Sequence, residues 1–154
     1  MSVPVTPYID FEVLNEPWNV YELSDGSRLR TRLVLLNVLN TGQYDDLGKP
    51  IYQTANTTLF VVRAPKELKG PPTIPLPDPS ELLDYAIDVS ISRHVVDAWN
   101  IYSLENGAKL KMKLIITSIK RSSKYDPFGE PIYVISSQPV IDLDVPKTLL
   151  RKIK

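Results

Sequence analysis

Six cationic side chains form two stripes in which every second residue is basic. The arginine stripe and the lysine stripe consist of Arg28, Arg30, Arg32 and of Lys109, Lys111, Lys113. Alternate side chains of a β-strand point to the same face, so each stripe predicts a basic strand face. Trp18 and Trp99 precede the stripes at equal spacing, and an indole beside a cation can stack on a base. We therefore predict that these eight residues bind the phosphates and bases of nucleic acid.

The stripes belong to two copies of one sequence pattern. Residues 18–68 align without a gap with residues 99–149 at an offset of 81, and 16 of the 51 positions are identical. Arginine in one copy is lysine in the other, which favours contact with a phosphate backbone over bidentate recognition. The repeat predicts an internal duplication, with a first module over residues 1–69 and a second module with a basic C-terminal tail over residues 80–154. Five prolines within residues 70–79 predict a stiff, extended linker between them.

Each copy has the pattern of a small β-structure. Alternating residues flank Asp25-Gly26 and Asn106-Gly107, both strong hairpin signals. A three-residue loop with a left-handed glycine pairs Glu22 with Arg28, Val20 with Arg30 and Trp18 with Arg32. The opposite face is then apolar and holds Tyr21, Leu23, Leu29 and Leu33.

With a leading strand near 8–14 or 85–96, each copy has about five strands. We therefore predict an all-β protein of two tandem small five-stranded β-barrels, of the SH3-like, Sm-like or OB type. The segments Val34–Leu36 and Ile115–Ile116 are apolar on both faces and must be covered on both sides. A strand that bends from one sheet to another would cover them, and so would a contact between the two copies.

The other residues that could do chemistry favour structural roles. His94 and Asp97 with a nearby serine could be drawn as a triad, but His94 is the single histidine and no nucleophile-elbow pattern is present. The sequence has no cysteine, and Asp45-Asp46 has no matching carboxylate pair in the second copy. Tyrosines of the Tyr-Asp-x-x-Gly-x-Pro-Ile-Tyr segments are expected to pack over their own turn. We expect no cofactor, no metal and no enzymatic activity.

Bulk properties are those of a folded cytoplasmic protein. Eighteen basic residues balance 18 acidic ones, and no apolar run reaches the roughly 18 residues of a membrane helix. We expect a non-enzymatic protein that binds single-stranded or structured RNA, or a ribonucleoprotein, through both basic faces. The alternative is a structural or adaptor protein that mediates protein–protein assembly, which the zero net charge favours.

Overall fold

The computed structural model describes residues 7–151, which form nine β-strands and three short 3-10 turns. The strands are β1 (Phe11–Asn15), β2 (Asn19–Leu23), β3 (Arg28–Tyr44), β4 (Pro50–Arg63), β5 (Ile87–Val89), β6 (Ile91–Val96), β7 (Asn100–Leu104), β8 (Lys109–Tyr125) and β9 (Pro131–Asp144). The 3-10 turns are Lys66–Leu68, Pro79–Leu83 and Lys147–Leu149. The predicted all-β class is confirmed. Residues 7–151 contain no helix with the length and apolar character to cross a membrane. Lys152 and Lys154 of the predicted basic tail lie outside the described residues.

The short hairpins have the predicted register. Glu22 pairs with Arg28 and Val20 with Arg30, so the loop between β2 and β3 places the stripe opposite the apolar face. Gly26 and Gly107 have φ of +88° and +89°, a backbone conformation that glycine adopts without strain. The face opposite the stripe is buried as predicted; Tyr21, Leu23, Leu29 and Leu33 are each at most 3% exposed.

A long hairpin follows each short one. β3 pairs along its length with β4, and β8 pairs in the same way with β9. The turn between β3 and β4 is closed by Asp45, whose carboxylate accepts hydrogen bonds from two backbone N–H groups of its own turn. Leu36 and Thr117 are each left without a pairing partner by a β-bulge at the same place in the two hairpins. A bulge shifts the alternation of buried and exposed residues by one. Along β3 the buried residues therefore have odd numbers before Leu36, whereas the even-numbered Val38 is buried after it.

The leading strand of each copy pairs with the other copy. β1 pairs with β7, and β6 pairs with β2. The first sheet therefore has the order β4-β3-β2-β6, and the second has the order β1-β7-β8-β5 with β9 also on β8. The prediction had each leading strand within its own copy, because sequence proximity favours local pairing. Of the predicted strand 85–96, β5 does pair with β8 of its own copy, whereas β6 does not. Across residues 7–151 we find two sheets and no closed barrel.

Both hydrophobic cores combine residues of the two copies. In one core, Leu33, Leu35 and Val38 of β3 pack with Tyr102 and Leu110 from the second copy. In the other core, residues of β2 and β3 pack with Val89 and Ile119. Contact between the copies therefore covers one side of the segments that are apolar on both faces, where Leu35 is buried. The prediction that both sides are covered is wrong, because Leu36 and Ile115 are 52% and 42% exposed.

The turn at Asp25 forms hydrogen bonds with side chains of the second copy. Tyr133 Oη and Arg121 Nη1 donate hydrogen bonds of 2.7 and 3.1 Å to Asp25 Oδ2, and Ser27 N donates one of 2.9 Å to Oδ1. The equivalent turn is fastened by Asn106, whose amide donates to Tyr52 Oη at 2.6 Å. Burial opposes ionisation of Asp25, but these hydrogen bonds outweigh it and hold its pKa below the ordinary value. The hydroxyls of Tyr52 and Tyr133 thus bind the turn of the other copy, whereas the sequence predicted packing over their own turn.

The substitution Asp25→Asn gives the first turn the residue that the second turn already has. At pH 7 we expect the free energy of unfolding to fall by about 1–3 kcal/mol, since the buried network loses an ionised acceptor. Because the pKa of Asp25 is lowered by folding, its stabilisation is complete above about pH 3.9 and is lost as the pH falls through the folded-state value. Urea denaturation at a series of pH values should show the difference from the wild type shrinking in acid. Asp46→Asn on the exposed loop, the control, should shift stability by less than about 0.5 kcal/mol.

Candidate nucleic-acid interface

The arginine stripe lies at the centre of a larger cationic surface on the first sheet. Cross-strand partners in a sheet share a face, and Arg63 of β4 lies opposite Arg28 of β3. Glu22 of β2 lies opposite Arg28 on the other side, and Arg93 of β6 lies opposite Glu22. The arginine face comprises Arg28, Arg30, Arg32, Arg63 and Arg93.

Glu22 is the anion at the centre of this face. Its carboxylate lies 2.7 Å from Arg93 Nη2 and 3.9 Å from Arg28 Nη2. The hydrogen bond from Arg93 lowers the pKa of Glu22, and the charge of Arg28 adds to the effect. Within residues 7–151, no carboxylate lies at ion-pair distance from Arg30 or Arg63. Two arginines of the face are therefore left for an external anion.

The Trp18 ring contacts a different arginine from the one that the sequence predicted. The Arg30 guanidinium lies 5.1 Å from the centroid of the Trp18 ring, a cation–π distance. Arg32, which the sequence placed beside Trp18, instead donates a hydrogen bond to Glu16 at 3.4 Å. Strand pairing ends at Asn19 and Thr31, so Trp18 has no cross-strand partner. The buried carboxylate therefore draws Arg32 away from the indole, and Arg30 takes its place.

Glu16 is a buried carboxylate at the end of β1. Its side chain is 8% exposed and accepts hydrogen bonds from Arg32, from Leu35 N at 3.3 Å and from Tyr102 Oη at 2.7 Å. Burial raises the pKa of Tyr102, and the Glu16 carboxylate raises it further. Asn100 Nδ2 donates to Tyr102 Oη at 2.9 Å. This network connects β1, β3 and β7 directly beneath the arginine face.

The lysine stripe lies on the second sheet, where carboxylates face it. Asp144 and Asp142 of β9 lie directly opposite Lys109 and Lys111. Lys113 Nζ forms an ion pair of 3.0 Å with Asp97, and its side chain is 17% exposed. Lys113 lies 5.8 Å from the centroid of the Trp99 ring, as the sequence predicted. Glu12 of β1 lies on the same face, because it is in the same line of cross-strand neighbours as Lys109. The lysine face comprises Lys109, Lys111 and Lys113 with these four carboxylates.

The two stripes therefore belong to faces of different charge. The arginine face has five cations against Glu22 and Glu16, which is 5 − 2 = +3. The lysine face has three cations against four carboxylates, which is 3 − 4 = −1. The sequence predicted a basic tail on the second module, but of these two faces the arginine face, on the first sheet, has the more positive charge. The residues that cause this difference lie on the strands that flank the stripes.

Sequence reasoning missed Arg63 and Arg93 on one face and Asp142 and Asp144 on the other. Arg63 could be placed opposite Arg28 only by counting residue pairs along the long hairpin from its turn. Two irregularities in the pairing of β3 with β4 make that count unreliable. Arg93 reaches the face because β6 pairs with β2, and no local sequence pattern predicts that pairing.

His94 has an ordinary packing role in the structure. It lies opposite Tyr21 on β6, and the two rings meet edge to face with centroids 5.3 Å apart. Tyr21 Oη donates to Asp97 at 3.2 Å, and burial followed by the Asp97 charge raises the pKa of Tyr21 to about 12. In residues 7–151, no cluster of three or more histidine and carboxylate side chains has the arrangement of a metal site.

Protein-family models, curated proteins and solved structures were compared with this chain, and none of them matches it. The interpretation of the two faces therefore depends on their geometry and charge.

The two copies provide a matched test of the buried carboxylate. Glu16→Gln places an amide N–H₂ group among donors from Arg32, Leu35 and Tyr102, and we expect it to cost about 1–3 kcal/mol. Asp97→Asn is the equivalent change at a side chain that is 31% exposed, and we expect a loss of less than about 1 kcal/mol. Urea denaturation at pH 7 compares the two. An equal or larger loss for Asp97→Asn would contradict the assignment of Glu16 as the anchor.

Proposed function

We propose that this protein is a non-enzymatic RNA-binding protein that contacts the phosphate backbone of single-stranded RNA through the arginine face. One observation carries the proposal: five arginines lie on three of the four strands of the first sheet, and two of them have no carboxylate at ion-pair distance within residues 7–151. Such a surface attracts phosphates regardless of base sequence. A ribonucleoprotein would present the same backbone charge.

The proposal assigns binding to one face, although the sequence predicted two. Lys109 and Lys111 have carboxylates directly opposite, so a phosphate there would approach Asp144 and Asp142 as well. Lys113 is already held by Asp97. Neutralised in this way, the lysine face contributes little to the attraction of a polyanion, and Trp99 has no cationic surface around it comparable to that around Trp18.

The test is a titration of fluorescent single-stranded RNA at increasing salt concentration. The net charge of +3 on the arginine face, at about 0.7 counterion for each phosphate contact, predicts a log–log slope near −2. Arg28→Ser with Arg30→Ser should make the slope shallower by about 1.4 and weaken binding at every salt concentration. Both arginines are surface residues without a buried partner, so thermal stability should change little.

The matched control is Lys109→Ser with Lys111→Ser, which changes the net charge by the same amount at the equivalent positions. We expect its slope and affinity to remain close to those of the wild type. An absence of binding at low salt would refute the RNA-binding function. Equal weakening by both double variants would refute its assignment to the arginine face.

A structural or adaptor role is the second candidate function. It is favoured by apolar side chains on the outer strands of both sheets: Leu59 and Phe60 of β4 are 44% and 37% exposed, and Val140 and Ile141 of β9 are 41% and 46% exposed. Exposed apolar residues on outer strands are typical of surfaces that receive another protein.

We further infer that the two copies arose from one duplicated small-barrel module whose leading strands have exchanged. The equivalent bulges, the equal loop geometry at Gly26 and Gly107, and the two reciprocal strand pairings support this inference.

A further inference from the structure

The outer strands of the two sheets are protected to different degrees. Within the described residues, β4 pairs with β3 alone and β9 pairs with β8 alone. β9 carries Pro139 opposite Leu114, followed by Asp142 and Asp144. Proline and charge are the usual means by which a protein prevents an outer strand from pairing with another chain. β9 is therefore shielded along its second half.

β4 lacks this protection. At the equivalent positions it has Thr58, Val61 and Arg63, and residues 53–62 contain neither a proline nor a charge. Leu59, on the arginine face, is 44% exposed, and Phe60, on the opposite side of the strand, is 37% exposed. The unprotected strand is thus the one that borders the cationic surface.

Pro139 also indicates where the backbone of β4 points. A proline has no N–H and is tolerated within a strand pair where its nitrogen faces away from the partner strand. Thr58 lies opposite Leu33 in the register that places Pro139 opposite Leu114. The N–H of Thr58 therefore points to the free edge. By alternation, the N–H groups of Phe60 and Val62 point there as well.

Residues 57–63 are complementary to themselves in the antiparallel direction. If Phe60 lies opposite Phe60 of a second copy, Leu59 lies opposite Val61, Thr58 opposite Val62 and Thr57 opposite Arg63. Apolar residues then meet apolar residues at the centre, and no like charges lie opposite each other. The three outward residues of each copy supply about six backbone hydrogen bonds.

We propose that a second copy of this chain pairs with β4 in this register and forms a symmetric dimer with one continuous eight-stranded sheet. A two-fold axis between antiparallel strands of one sheet is perpendicular to the sheet, so both arginine faces lie on the same side. The two copies of β3 are then three strand spacings apart, about 14 Å. The dimer presents twice the cationic surface of one chain.

Pairing through β4 does not depend on the proposed RNA binding, and the two are distinguished by their opposite dependence on salt concentration. The dimer brings two arginine faces together, so salt screens their repulsion and strengthens association. RNA binding weakens with salt because counterions are released. The dimer is therefore tested without nucleic acid.

The experiment is sedimentation equilibrium of the full chain over a range of protein and salt concentrations. Thr58→Pro gives β4 the proline that β9 has at the equivalent position. It removes two of the six hydrogen bonds and should raise the dimer dissociation constant at least about tenfold. Val61→Asp gives β4 the aspartate that β9 has at the equivalent position, Asp142. It should have a similar effect, because two carboxylates then lie in the apolar centre of the dimer interface. Val140→Asp places the same charge on β9 as a control and should leave the constant within about twofold. Circular dichroism checks that each variant is folded.

Amide hydrogen exchange gives a second readout on the wild type. With rising protein concentration, exchange should slow at Thr58, Phe60 and Val62, and it should remain unchanged at Leu59 and Val61, whose N–H groups face β3. A chain that is monomeric at all concentrations would overturn the proposal, even if a foreign protein occupied β4. A dimer that is unaffected by both Thr58→Pro and Val61→Asp would also overturn it.

Discussion

The reciprocal pairing of β1 with β7 and of β6 with β2 is the constraint on which the other contacts depend. Glu16 directly follows β1 and is buried, and an unpaired buried carboxylate would be strongly destabilising. Its donors come from Arg32 and Leu35 of the first copy and from Tyr102 of the second. The first copy supplies two of these donors and the second copy the third, so the complete set of hydrogen bonds to Glu16 forms only when the two copies fold together. The same bond holds Arg32 in place and leaves Arg30 to cover Trp18.

This reciprocal pairing also determines which charges surround each stripe. The outermost strand on one side of each sheet comes from the other copy, so the first sheet receives Arg93 and the second receives Glu12. The long hairpins add Arg63 to the first face and two aspartates to the second. The stripes themselves carry equal charge, and the difference of four charges between the faces comes from these flanking strands and their ends. A face can thus change its electrostatic character while the alternating pattern at its centre stays the same.

Local structure was predictable from the sequence because short-range turn chemistry decides it. The loops at Gly26 and Gly107, the face of the arginine stripe and the closure of the Asp45 turn all depend on residues within about ten positions of each other. The reciprocal strand pairing depends on contacts such as that of Glu16 with Tyr102, 86 residues apart, and no periodicity in the sequence encodes these contacts. The arginine face was found only in part for the same reason, since Arg63 and Arg93 join it through long-range pairing and across bulges.

The charge of a face and the protection of its outer strand vary together between the two copies. Where the second copy has Pro139, Asp142 and Asp144, the first has Thr58, Val61 and Arg63, so the substitutions that neutralise the lysine face are partly those that shield β9. An aspartate opposite a lysine removes net charge from the face, and the same aspartate on an outer strand disfavours pairing with another chain. The first copy lacks both effects at the same positions. An uncompensated cationic surface and an open strand edge are therefore two consequences of the same few residues, and they occur together on the first sheet.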